Sequence, residues 1–138
     1  MRKSMFLKTK TLAALTLMAA LLALLAGGCG GGPSPTNVAE DFARQMNDRK
    51  FGEIYDLLSI QSPIRKEISR DDFVGQYESI YPEGFRLADF KITEERIEGD
   101  SKAMVLWTAT AVVPGRADEP TNRTFSMVSE DGSWKIEQ

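Results

Sequence analysis

The residue of this chain with the most evident chemistry is Cys29, its only cysteine. Cys29 ends the apolar run LLALLAGGC; four basic residues lie within the first ten positions, and GGGPSP follows. A basic start, a short apolar segment and small residues before a break are typical of a cleaved export signal. The apolar segment 11–26 has 16 residues, fewer than the roughly 20 of a membrane-spanning helix. The pattern therefore predicts that Cys29 lies at a membrane surface, outside the cytoplasm.

The residues around Cys29 resemble the lipobox of bacterial lipoproteins, in which small residues precede a lipidated cysteine. Here Ala26, Gly27 and Gly28 precede it, and Ala26 replaces the usual leucine. The resemblance implies cleavage after Gly28, a diacylglycerol on the sulfur and often a third acyl chain on the new amine. Because each buried CH2 contributes roughly 0.8 kcal/mol, two or three chains would hold the protein firmly in a lipid bilayer. The alternative is an uncleaved anchor helix with an incidental cysteine, which also places the remaining chain outside the cytoplasm.

The predicted organisation is a signal peptide at 1–28, a lipidated cysteine with a Gly/Pro tether at 29–35, and one domain at 36–138. Four of the 17 basic residues lie in the signal, so the remainder carries 13 basic and 20 acidic residues, a net charge of −7. An acidic surface argues against nucleic acid as a partner. A lipidated Cys29 leaves no thiol for a disulfide, and the chain has no histidine. We therefore expect no metal, no cofactor and no imidazole base.

Three amphipathic helices are predicted after the tether. Ser34 and Pro35 form a start signal, a capping serine before a proline at the first helical position. Val38, Phe42 and Met46 then mark one helix face. A second helix is indicated by the i, i+3, i+4, i+7 spacing of Phe51, Ile54, Tyr55 and Leu58.

The third helix follows an ambiguous segment, 59–68, in which Pro63 favours a turn. Its start is a capping box that runs from Ser69 to Asp72. The apolar residues of this helix are Phe73, Tyr77, Ile80 and Tyr81, and the sequence Pro-Glu-Gly at 82–84 ends it.

After residue 84 the apolar period changes from helical to two. Ala88, Phe90 and Ile92 alternate with polar residues, and 102–113 is the strongest strand. One face of that strand carries Ala103, Val105, Trp107, Ala109 and Ala111, and the other carries Met104, Leu106, Thr108, Thr110 and Val112. A third strand is predicted at 121–129, and the Asp-Gly pair at 131–132 predicts a hairpin into a last strand with Trp134 and Ile136. Helices followed by an antiparallel meander predict an α+β fold.

The segments DFARQMNDRKFGEIYDLLS, ISRDDFVGQYESIY and SMVSEDGSWKI, in this order, resemble the nuclear-transport-factor-2-like (cystatin-like) fold. They are most similar to the non-catalytic N-terminal domain of methicillin-resistance-type penicillin-binding proteins. The resemblance covers residues 35–138. It implies N-terminal helices packed on a curved antiparallel sheet, forming a cone with an apolar mouth. No S-x-x-K, S-D-N or K-T-G triplet occurs in the sequence, so we expect the resemblance to carry a fold and a location rather than the serine chemistry of those proteins.

A cone of this kind could hold a flat, apolar ligand that tyrosine hydroxyls orient. The residues expected to line it are Phe42, Tyr55, Tyr77, Tyr81 and Trp107. The alternative is that these aromatic side chains only fill the core between helices and sheet, since a domain this small needs most of its large apolar groups for stability.

Some proteins of the wider superfamily are isomerases or dehydratases, whose sites need a buried base. Asp89 lies on the polar side of its alternation and is expected in water. Glu94 lies on the apolar side and is the single candidate base, unless a strand end or a bulge brings its charge to solvent. The sequence therefore predicts no catalytic residue.

The second face of the strongest strand is half apolar, and an exposed face of this kind often marks an interface. A homodimer or an envelope protein partner is expected there, or else scattered apolar residues without a partner. The function predicted from the sequence is a membrane-anchored, extracytoplasmic lipoprotein with a non-catalytic binding or scaffolding domain linked to cell-wall processes. The alternative is a carrier or sensor of a small apolar ligand held in the cone.

Overall fold

A computed structural model describes residues 32–138, so the predicted signal peptide and Cys29 lie outside the described residues. Gly32–Gln138 forms a compact unit of four helices followed by four strands. The helices are α1 (Pro35–Asn47), α2 (Phe51–Leu57), α3 (Pro63–Glu67) and α4 (Arg70–Ile80). The strands are β1 (Arg86–Glu98), β2 (Lys102–Val112), β3 (Glu119–Glu130) and β4 (Ser133–Ile136). The predicted α+β fold is confirmed.

The predicted helix starts are present as hydrogen-bonded caps. The Asn37 amide donates to Ser34 Oγ at 3.2 Å, and the Asn37 side chain accepts from the Ser34 amide at 3.1 Å. The Asp72 amide donates to Ser69 Oγ at 3.2 Å at the start of α4. The turn predicted in the segment 59–68 is present at residues 60–61. Pro63 is the first residue of α3, where its missing N–H costs nothing, and Ser62 caps that helix.

The four strands form one antiparallel sheet in the order β1-β2-β3-β4. The β3–β4 turn has positive φ angles at Asp131 (50°) and Gly132 (77°), as a type I′ hairpin requires. The inner face of the sheet, which packs against the helices, carries the predicted apolar face of β2. Ala103, Val105, Trp107 and Ala109 are all at most 6% exposed.

Two bulges in β1 change which face of the sheet its side chains lie on. The first lies between Ala88 and Lys91, where Asp89 has a φ of 54°, and it allows Leu87 and Phe90 both to reach the core. The second lies between Ile92 and Glu94. Ile92 is paired with Trp107 of the inner face, but Glu94 is paired with Leu106 of the outer face. An extra residue in one strand reverses the alternation that follows it.

Helix α1 is fastened to β1 at both of its ends. Near its start, Glu95 accepts hydrogen bonds from the Thr36 amide at 3.0 Å and the Thr36 hydroxyl at 2.5 Å. At its end, the Asn47 side chain bonds the Leu87 amide at 2.7 Å and the Leu87 carbonyl at 3.1 Å. These contacts fix how the helix lies on the sheet and therefore how much of the inner face it covers.

Candidate functional site: an aromatic cavity between helices and sheet

A cavity of about 520 Å³ lies between the helices and the inner face of β2 and β3. Ligand pockets typically measure roughly 300–1,000 Å³, so the volume suits a small molecule. Every helix contributes to its wall. The apolar lining consists of Phe42, Met46, Ile54, Leu58, Ile64, Tyr77, Tyr81, Phe85, Leu87, Trp107, Ala111, Pro120, Phe125 and Ile136.

Trp107, on β2, lines the cavity and is surrounded by other aromatic rings. Its ring centroid is 5.1 Å from that of Phe90, 5.6 Å from Phe125 and 6.2 Å from Phe42. Trp107 is 4% exposed, and its Nε1 has no hydrogen-bond partner among the described residues. A buried donor without a partner costs about 1–3 kcal/mol, so this unsatisfied indole N–H lowers the stability of the fold.

Two tyrosines form the helical side of the wall. The ring centroids of Tyr77 and Tyr81 are 5.2 Å apart, and Tyr77 is stacked on Phe73 at 4.1 Å. Burial raises the pKa of the Tyr77 hydroxyl; Tyr81 adds to the rise, and the positive charge of Arg123 offsets part of it. The Tyr77 hydroxyl is therefore protonated at neutral pH and can donate a hydrogen bond.

The open end of the cavity is polar. The polar residues of the lining, which we call the mouth, are all at least partly exposed: Glu119, Thr121, Arg123, Glu137 and Gln138. Arg123 was not among the predicted lining residues, although its spacing of two from Phe125 and four from Met127 places all three on the same face of β3. That alternation was the available signal.

Four of the five aromatic residues expected in the cone line the cavity: Phe42, Tyr77, Tyr81 and Trp107. Tyr55 is not part of the lining. It is 8% exposed, its hydroxyl donates to the Ile68 carbonyl at 2.9 Å, and its ring packs against Phe73 at 5.4 Å. Tyr55 therefore belongs to the core under α4. Whether the cavity binds a ligand stays a prediction.

The carboxylates expected near the sheet are both in solvent. Asp89 is exposed, as predicted. Glu94 does not lie on the apolar side; the alternative of a bulge is confirmed, since the second bulge turns it to the outer face, where its Oε1 is 2.8 Å from Arg96 Nη2. In residues 32–138, no group of three or more acidic, cysteine or histidine side chains is arranged to hold a metal ion. Within the same residues, no helix is long and apolar enough to cross a membrane.

Residues 34–138 match the family described as the NTF2-like N-terminal transpeptidase domain. The chain belongs to this family. The resemblance found in the sequence is thereby confirmed for its domain, and the four helices on a four-stranded antiparallel sheet are the NTF2-like fold that it implied.

The NTF2-like domain is also similar to penicillin-binding protein 3 of Bacillus subtilis (strain 168), with 33% identity over 75 residues. The match covers 54% of this chain but only 11% of that protein. Among solved structures, a SEC-C motif containing protein from Rhodopseudomonas palustris superposes with a TM-score of 0.59 and 13% identity, covering 76% of each chain. At that identity the likeness shows the fold alone.

Proposed function

We propose that this chain is a lipid-anchored protein of the cell envelope whose NTF2-like domain is a non-catalytic binding or scaffolding module in cell-wall processes. The observation that carries the proposal is the family match over residues 34–138, supported by the similarity to a penicillin-binding protein. The composition of the cavity supports binding rather than acid–base chemistry. Its wall is aromatic and aliphatic, and its carboxylates, Glu119 and Glu137, lie in the polar mouth.

The anchor in this proposal is Cys29, because the preceding residues have the pattern of a lipoprotein signal. The test is to express the full chain with Cys29→Ser in a bacterium that processes lipoproteins, and to measure its mass and detergent partitioning. We expect the wild type to be cleaved before residue 29 and acylated, and the variant to lack acyl groups. Gly30→Ala is the matched control and should behave as wild type. An acylated, cleaved Cys29→Ser protein would rule out this anchor.

The partner in this proposal is a second copy or another envelope protein bound to the outer face of β2. That face carries Met104, Leu106 and Val112, which are only half-buried in this structure. A photo-crosslinking residue at Thr108 should give a discrete adduct in intact cells, and the same residue at Asp100, in the β1–β2 turn, should not. If both positions give only uncrosslinked monomer, the scaffolding role at this face is refuted.

A second candidate function is the binding of a small apolar ligand, as a carrier or sensor, and the cavity of about 520 Å³ favours it. A ligand present at one hundred times its dissociation constant stabilises the folded state by about 2.7 kcal/mol. Thermal unfolding in the presence of apolar compounds and envelope extracts therefore tests this function. If none of them raises the melting temperature, the carrier function has no support.

A further inference from the structure

We propose that the cavity binds a flat apolar molecule that carries one anionic head group, and that Arg123 is the residue that selects the anion. This inference rests on the second candidate function, that the cavity is a ligand site, and adds the class of ligand. It follows from three features: a wall built from rings, tyrosine hydroxyls within that wall, and one cation in the lining.

The wall determines the body of the ligand. Phe42, Trp107 and Phe125 surround one side with ring centroids 4.9–6.2 Å apart, and Tyr77 and Tyr81 form the opposite side. Aromatic faces favour planar apolar groups, which they contact by offset stacking or edge-to-face packing. A two-ring aromatic body is well below the cavity volume of about 520 Å³ and leaves space for a head group.

Within the aromatic wall, Tyr77 and Tyr81 each carry a hydroxyl that can donate a hydrogen bond. The buried Trp107 Nε1 has no acceptor among the described residues. A phenol is protonated at neutral pH, so the Tyr77 hydroxyl can donate a hydrogen bond there. Hydroxyls in the wall can donate to a ligand that accepts hydrogen bonds, which a carboxylate or phosphate does with several lone pairs.

Arg123 supplies the charge. It is paired with Trp107 across the β2–β3 ladder and is the single Lys or Arg in the described lining. In the part of the chain that the structure describes, Arg123 takes part in none of the three ion pairs, which join Arg44, Arg70 and Arg96 to acids. Arg123 and Tyr77 both line the cavity. A guanidinium fork matches the two oxygens of a carboxylate or phosphate.

The acids of the mouth limit where an anion can lie. Glu119 precedes Arg123 by four residues on the same strand face, a separation of about 13 Å at 3.3 Å per residue. Glu137 also lines the mouth. The charge of Glu119 repels an anion from its end of the mouth, so the head group lies at Arg123, and its apolar body extends toward Trp107.

The test uses residues 32–138, which form a compact unit, with Trp134→Phe so that Trp107 is the single tryptophan. Three probes share one ring system: 2-naphthylacetate, 2-naphthyl phosphate and the neutral 2-naphthylacetamide. Quenching of Trp107 fluorescence reports binding, and cooperative thermal unfolding establishes that each variant is folded. We expect both anions to bind about tenfold or more tightly than the amide, with a preference that declines as salt is raised.

Arg123→Gln should abolish the preference and leave amide binding unchanged. Arg86→Gln removes the same charge from the outer face of β1 and is the matched control, which should keep the preference. Equal affinities for anions and amide in the wild type, or an undiminished preference in Arg123→Gln, would overturn the anion selectivity and leave a ligand site in place. Binding of none of the three probes would overturn both the selectivity and the ligand site itself.

Discussion

The two halves of the inner face of β2 are covered to very different degrees. In the closed half, Ala103 and Val105 are 3% and 0% exposed, and Met127 on β3 beside them is 1% exposed. In the open half, Ala111 is only half-buried, and its neighbour on β3, Glu119, is exposed. The inner face of β2 therefore borders a filled core at the start of the strand and a cavity at its end.

The side chains of the two halves account for the difference. The residues of the closed half carry no aromatic ring, and they pack with α1 in the core, with Glu95 bonded to the first turn of the helix. Trp107 and Phe125 in the open half hold Phe42 of the helix at ring distances of 6.2 and 4.9 Å, and the space beside these rings stays unfilled. An unfilled apolar volume lowers stability, so its presence agrees with a binding role for the open half.

The largest effect is expected for Met127→Ala in the closed half. Met127 is 1% exposed, and its removal should leave a void that the surrounding core cannot fill. We expect a loss of about 2–5 kcal/mol in the free energy of unfolding, measured by urea denaturation. Met104→Ala is the matched control, since Met104 lies on the outer face of β2 and is half-buried. Equal losses in the two variants would contradict the distinction between a filled inner face and an open outer face.

A smaller effect is expected for Asn47→Ala, which acts on the open half. Asn47 joins the end of α1 to the backbone of Leu87 through two hydrogen bonds. Without it, a partly buried amide and carbonyl lose their partner, at a cost of about 1–3 kcal/mol. The free energy of unfolding measures the loss, and Asn122→Ala on the outer face of β3 is the control. We also expect fluorescence of Trp107 to change, because the helix end beside the cavity is released. If Asn47→Ala is as stable as Asn122→Ala, the two hydrogen bonds to Leu87 do not stabilise the fold.

Most of the fold could be predicted from local sequence because its signals are local. Caps at Ser34 and Ser69, the apolar alternation of β2 and the turn at residues 131–132 each depend on neighbours within a few positions. The Tyr55 side chain was misplaced for a different reason. Helical spacing places Tyr55 on an apolar helix face. Whether its ring lines the cavity or packs in the core depends on Phe73, which belongs to a later helix.

The bulges of β1 explain the position of Glu94. Strict alternation puts Glu94 on the apolar side, and a single extra residue after Ile92 reverses it. Nothing in the local sequence marks that insertion, because bulges arise from the pairing with β2. Arg123 was missed since an exposed arginine in a strand is ordinary by itself, and only the assembled sheet places it beside Trp107.

The smallest effect at neutral pH is expected for Tyr77→Phe, which tests the apolar surroundings of the open half. No described residue hydrogen-bonds to the Tyr77 hydroxyl, so the free energy of unfolding at pH 7 should be nearly unchanged. Tyr55→Phe is the control; it breaks the bond to the Ile68 carbonyl and should cost about 0.5–1.5 kcal/mol.

Alkaline pH should separate Tyr77→Phe from wild type, because burial raises the pKa of Tyr77 above its ordinary value of 10.0. The unfolded chain then loses the phenol proton at a lower pH than the folded protein does. The stability that Tyr77 contributes is therefore complete below pH 10 and is lost as pH rises through the higher pKa of the folded state. Denaturation midpoints from pH 8 to 11.5 should decline less steeply above pH 10 in Tyr77→Phe than in wild type. If the midpoints of the two proteins decline equally above pH 10, the Tyr77 hydroxyl is as exposed to solvent as the mouth. The contrast between an apolar wall and a polar mouth would then be contradicted.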